Sequence, residues 1–134
     1  LSIFDVGAFN QRYKEKGEDV EITMMTFNTT EPETCGIVEI DRYGIVTSFH
    51  EKSENPPGKL ANGAVYILSP MVLEFLVSLR KEVIDFSTEV LPHFIGRINT
   101  FHNKIYHRDI GTAESLLVAR REFPAVFAKG IPPQ

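Results

Sequence analysis

The 134 residues are about the length of one domain, and a hydrophobic share of 43% is enough to fill a core. Lys and Arg number 14 against 18 Asp and Glu, giving a net charge of −4 without a basic cluster, which argues against nucleic acid as the main partner. No apolar run approaches the roughly 20 residues needed to cross a bilayer, no charged-then-apolar leader opens the chain, and the single Cys35 permits no internal disulfide; a reducing, cytoplasmic setting without a membrane partner is expected.

The chain opens "LSIFD", residues suited to the end of a strand, with no initiator methionine. "FDVGAFNQRYKEKG" predicts a short helix: Asp5 is placed to cap it, Val6, Phe9 and Tyr13 share a face, and Gly17 stops it. Asp19 to Phe27 is apolar enough for a strand buried on both faces. "CGIVEIDRYGIVTSFHEK" reads as a β-hairpin turning at Gly44, and "SENPPGK" as a breaker-rich loop. "LANGAVYIL" is a further buried strand, after which Ser69 and Pro70 start a helix with Val72, Leu73, Leu76 and Val77 as its apolar stripe. "DFSTEVLPHFIG" predicts a second short helix capped near Asp85 and limited by Pro92. "RINTFHNKIYHRDI" is extended, as one or two strands. Thr112 then caps a last helix whose inner face is Leu116, Ala119, Phe123 and Phe127, bent at Pro124. The order predicts an α/β fold: a Rossmann-like mixed sheet flanked by helices, with a β-hairpin.

Ligands of such sheets gather at the carboxyl ends of strands, and three stretches fall there or nearby. Glu51-Lys52 follows the hairpin, Asn62-Gly63 interrupts an apolar strand, and Asp109 precedes Gly111-Thr112. The set suits a phosphorylated sugar and a hard metal. A carboxylate such as Glu51 can accept from two sugar hydroxyls while Lys52 offers a charge to a phosphate. Gly36 and Gly63 let a ligand approach the backbone, and Asp109 can give Mg²⁺ one oxygen. Taken singly, each residue has a plainer reading. Glu51 and Lys52 can be solvated charges, Asn62 can bond a neighbouring loop, Asp109 can cap the last helix, and Gly36 can ease entry into the hairpin. Cys35 is expected to be small and buried, and His93, His102 and His107 to be surface or packing residues. Without short-spaced histidines a zinc site is not expected.

In order, "CGIVEIDRYGIVTSFHEK", "LANGAVYILSP", "DFSTEVLP" and "RDIGTAES" resemble the sugar-1-phosphate nucleotidyltransferases, in particular the mannose-1-phosphate guanylyltransferase-like branch. The resemblance runs from Leu1 to about Phe123. It implies attack of a sugar-1-phosphate on a nucleoside triphosphate, giving an NDP-sugar and pyrophosphate. It further implies that Gly36 offers its N–H to the sugar, Glu51 binds sugar hydroxyls, and Asn62 and Gly63 line the pocket. Lys52 would steady the phosphate and Asp109 would hold Mg²⁺, so that Lys52 and Asp109 carry the catalytic charge. In the family a second aspartate sharing that Mg²⁺ ends a strand immediately before the Leu-Ser pair, and a Gly-x-Gly-Thr-Arg loop further upstream wraps the nucleotide. Residues 1–134 therefore read as the C-terminal, sugar-phosphate-binding portion of the domain, without its nucleotide-binding strands. Such a piece is expected to be inactive alone and to cover an exposed strand edge by forming a homo-oligomer. Ser53 stands where the family often has Pro, Gly63-Ala64 where it has Ala-Gly or Thr-Gly, and His107 where it commonly has an aromatic residue. The alternative is a non-catalytic binding or assembly module that keeps the fold.

Overall fold

A computed structural model describes residues 1–129. The chain begins as a two-residue strand, β1 (Ser2–Ile3), and turns into α1 (Val6–Lys14). Asp5 caps that helix as its sequence suggests, its carboxylate accepting from the Ala8 N–H at 2.8 Å. The strands β2 (Ile22–Asn28), β3 (Gly36–Ile40), β4 (Val46–Glu51), β5 (Leu60–Leu68) and β6 (Ile98–His102) form one sheet in the order β4-β3-β5-β2-β6. Only β2 and β6 run parallel; the other pairs are antiparallel. The last strand, β7 (Tyr106–His107), pairs with β1 as a separate ribbon.

The hairpin turn does more than join β3 to β4. Asp41 accepts from the N–H groups of Tyr43 and Ile45, and Gly44 takes the positive φ of 77° that a side chain would resist. The turn then reaches β6, where Thr100 N–H donates to the Gly44 carbonyl at 3.0 Å and Gly96 N–H to that of Val46 at 2.9 Å. Arg12 locks the junction by donating to the carbonyls of both Thr100 and Tyr43. The outer edge of β6 is thus met at this point by the hairpin of the same chain.

β2 is covered on both faces. Ile22 and Met24 join Val38, Val46, Ile98 and Phe94 in the core, beneath α2 (Pro70–Ser78) and the tight turns of 86–94. Thr23 and Met25 face the other way, toward α1, where Phe9 meets Phe101 and Thr23 donates to Asn99 at 2.6 Å. The predicted second short helix is a single π-turn (Phe86–Val90) followed by a 3₁₀ turn (Leu91–Phe94), entered through an Asp85 cap on the Thr88 N–H.

Two predicted stripes need correction. On α2 the inward residues are Val72, Phe75 and Leu76, whereas Leu73 and Val77 are exposed. The nine-residue helix meets the sheet along a narrow line, and Phe75 widens the stripe on the side opposite Leu73. On α3 (Ala113–Ala128) only Ala119 is fully buried, and Leu116 and Phe127 lie outward. No helix among the described residues is long and apolar enough to cross a membrane.

Candidate functional site

Sheet register builds the first part of the site. Gly36 lies opposite Glu51 across β3 and β4, and Ile37 lies opposite Ala61 across β3 and β5, which brings Asn62 alongside Gly36. Asn62 is paired in turn with Thr26, and Thr26 with His102. Glu51, Gly36, Asn62, Thr26 and His102 therefore form a polar row across five strands. A Cβ on Gly36 would lie 2.7 Å from the Phe49 ring and 2.8 Å from a Glu51 carboxylate oxygen, so the missing side chain leaves Glu51 its room.

Asn62 is fixed from both ends of its amide. Its Nδ2 donates to the Tyr66 hydroxyl at 2.7 Å, and its Oδ1 accepts from the Ala64 N–H at 2.9 Å. The second bond supports a bulge in which Gly63, Ala64 and Val65 face the single Met25 and Ala64 adopts a φ of 55°. Gly63 faces that crowding directly: a Cβ there would sit 2.6 Å from the Met25 methyl and 3.1 Å from its carbonyl oxygen. Packing accounts for this glycine, because Met25 fills the space beside it. Tyr66 is shifted upward in pKa by burial first, against the Asn62 hydrogen bond, with the nearby Glu51 charge adding to the rise. Lys52 follows β4 at a φ of 45°, exposed, with its N–H on the Cys35 carbonyl at 3.1 Å.

Asp109 lies elsewhere. It follows β7 and borders a cleft of about 330 Å³ whose walls include Thr29, Glu31, Cys35, Arg108 and Ser115. Glu51, Lys52, Asn62 and Gly63 are outside that wall, and Cys35, next to Gly36 in the chain, is the link between the two parts. The cap of α3 is Thr112, in a reciprocal box with Ser115, so Asp109 is not needed for that task. One Asp109 oxygen accepts from the Gly111 N–H at 2.9 Å, which leaves the other without a protein partner among the described residues. No group of three or more His, Cys, Asp or Glu that could hold a metal occurs among the described residues. A single exposed carboxylate on an open cleft does fit a hard cation that keeps most of its waters.

One residue departs from its sequence reading and the histidines largely keep theirs. Cys35 is half-exposed on the cleft wall rather than buried, with its thiol near the Thr29 and Thr34 hydroxyls. His93 and His107 are packing residues, the first stacked on Phe75 at 4.4 Å and the second tilted against Phe27 at 4.1 Å. His102 borders a second cleft of about 570 Å³ with Lys104, Tyr106 and Glu122. Tyr66, Thr26 and His102 escaped sequence reading because only the register reveals that they adjoin Asn62.

Comparison with known proteins now decides the lineage, for residues 3–125 match the family model described as nucleotidyl transferase. The chain belongs to the nucleotidyl transferase family. Similar relatives include the glucose-1-phosphate adenylyltransferases of Lachnospira eligens, 31% identical over 82% of this chain and 27% of that protein, and of Thermomicrobium roseum, 30% identical over 78% and 26%. The chain thus spans about a quarter of the length of these relatives. A Bacillus anthracis structure, described as a glucose-1-phosphate thymidylyltransferase in complex with sucrose, superposes with a TM-score of 0.76 at 15% identity, over 98% of this chain and 52% of that one. At that identity the likeness establishes the fold, an α/β mixed sheet flanked by helices. In this nucleotidyl transferase chain the residues singled out from sequence form two groups, a strand-borne row and a turn-borne carboxylate.

Proposed function

We propose that the chain is the sugar-phosphate-binding part of a sugar-1-phosphate nucleotidyltransferase. In that reaction a sugar-1-phosphate oxygen attacks the α-phosphorus of a nucleoside triphosphate, an NDP-sugar forms, and pyrophosphate leaves. The observation that carries this reading is the row of Glu51, Gly36 and Asn62 on three neighbouring strands. Glu51 would accept from two sugar hydroxyls, and Asn62 has an amide proton left to give after its internal bonds. Gly36 would present its backbone, Gly63 would hold the bend that aims Asn62, and Lys52 would steady the phosphate. Such catalysis is positioning and charge stabilisation, which suits a site without an acid–base pair.

Asp109 would hold Mg²⁺, which when bound supplies neutralisation of phosphate charge. The β1–β7 ladder supports this assignment. Leu1 and Arg108 exchange both backbone hydrogen bonds, at 2.8 and 2.9 Å, so a residue joined before Leu1 in the same extended conformation would stand across from Asp109. That is where the family resemblance puts a second aspartate.

Mannose 1-phosphate is the sugar suggested by the motifs, and glucose 1-phosphate, named in the relatives, is its competitor. Calorimetric titration of the full-length protein with both tests the reading. Glu51→Gln and Asn62→Ala should each weaken the preferred sugar phosphate about tenfold, the cost of a hydrogen bond to a charged or locked group. A wild-type protein that binds neither sugar phosphate sinks the proposal. We also expect a homo-oligomer. With the β6 edge met by the hairpin, the exposed apolar side chains of α3, Leu117 and Phe127 among them, are the surface to cover. Light scattering that reports a monomer at high concentration counts against it.

A further inference from the structure

Arg108 precedes Asp109 in the chain, and both line the same cleft. The guanidinium nevertheless engages neither Asp109 nor the other acid of that cleft, Glu31. Its Nε donates to Glu122 Oε2 at 3.0 Å and its Nη2 to Glu122 Oε1 at 3.0 Å. Two parallel bonds fix the planar fork in a way a single contact cannot. The Tyr106 hydroxyl donates to the same carboxylate at 2.8 Å, and Glu122 stands on α3 one turn beyond the buried Ala119. Asp109, by contrast, has no ion-pair partner among the described residues and accepts one backbone N–H. Successive residues of an extended segment start out on opposite sides, but an arginine on the same cleft with no partner of its own has the length and flexibility to turn back toward that carboxylate. Here a second carboxylate, brought in from a helix, takes the arginine first.

We propose that Glu122 is a positioning residue that holds the Arg108 guanidinium off Asp109, so that the Asp109 carboxylate stays open to a divalent cation. The inference rests on the reading of Asp109 as a cation ligand. An opposite charge within about 4–6 Å changes the proton affinity of a carboxylate by one to three powers of ten. A cation competing for the same oxygens meets the same neutralisation, so release of Arg108 should weaken it roughly tenfold.

The test is Mn²⁺ binding to the full-length protein, followed by the electron paramagnetic resonance signal of free Mn²⁺ and without turnover. Glu122→Gln should raise the dissociation constant about tenfold, and adding Arg108→Gln to it should restore binding to within about twofold, because the competitor is gone. Arg108→Gln alone should bind Mn²⁺ at least as tightly as the wild type. A merely structural clamp between β7 and α3 would instead leave the double variant as weak as Glu122→Gln, and that result overturns the proposal. Wild-type binding by Glu122→Gln, or weaker binding by Arg108→Gln, overturns it as well; the latter decides even if Glu122→Gln folds poorly. Asp109→Asn separates the two claims. If it leaves Mn²⁺ binding intact, the cation reading of Asp109 falls and takes this inference with it. If it removes binding while Glu122→Gln does not alter it, only the role of Glu122 is lost.

Discussion

The two parts of the candidate site are made differently. The row of Glu51, Gly36 and Asn62 is part of the sheet: its register, its bulge and its glycines are held by backbone pairing and by Met25. Asp109 sits on an exposed turn that follows a two-residue strand, beside an Arg108 that is paired with Glu122. The first part is shaped by packing and should resist change only as far as the fold does. The second can be altered electrostatically with little cost to folding. Substitutions should therefore separate stability from cation binding along this line.

The largest expected effect is at Gly63. Gly63→Val drives a branched side chain into the Met25 methyl and carbonyl and should cost about 2–3 kcal/mol, as overpacking does. Urea denaturation measures it; a midpoint equal to that of the wild type would show that the bulge relaxes freely. Asn62→Ala comes next. It removes the donor to the Tyr66 hydroxyl and the acceptor that supports the left-handed Ala64, and a loss of about 2 kcal/mol is expected. Asp109→Asn marks the other side of the comparison. Its side chain is exposed and makes one hydrogen bond, which an amide oxygen can also accept, so stability should change by less than about 0.5 kcal/mol. A loss at Asp109 equal to that at Asn62 would erase the distinction between the two parts.

How much of this was legible in the sequence follows the same division. Local signals were read well: Asp5, Asp85 and Thr112 are caps, Gly44 turns the hairpin, and Leu60–Leu68 is a strand end to end. Each depends on residues within a few positions of each other. What the sequence hid depends on partners far along the chain. Tyr66 is four residues from Asn62, yet on a regular strand an i, i+4 pair lies too far apart to bond. The bulge opposite Met25 shortens that path, and nothing in "NGAVY" announces which strand will force it. The return of the hairpin to β6 likewise requires Arg12, 88 residues away from Thr100. On α2 and α3 the predicted stripes were right in part, at Val72, Leu76 and Ala119, and wrong at Leu73, Val77, Leu116 and Phe127, because the exact inward direction is set by the facing layer rather than by the helix.

The smallest effect tests the far end of the polar row. Burial, and then the like charge of Lys104, pull the His102 pKa below its ordinary value of 6.5. Well above pH 6.5 the ring is neutral in both the folded and the unfolded chain, and its contribution is constant. As pH falls below that value the unfolded chain takes up the proton first, so the folded state loses stability until the lower folded-state pKa is passed. Stability should therefore decline on acidification from roughly one unit above the ordinary histidine value downward, beginning before carboxylates titrate. His102→Gln keeps a polar group toward Thr26 and removes the titration, so this decline should become shallower. It should not vanish, because His107 is also held below its ordinary pKa, chiefly by burial, and remains. Thermal melts across that range decide the matter. A slope unchanged by the substitution would mean that His102 is as free to protonate in the folded chain as in the unfolded one, and that the row ends at Thr26.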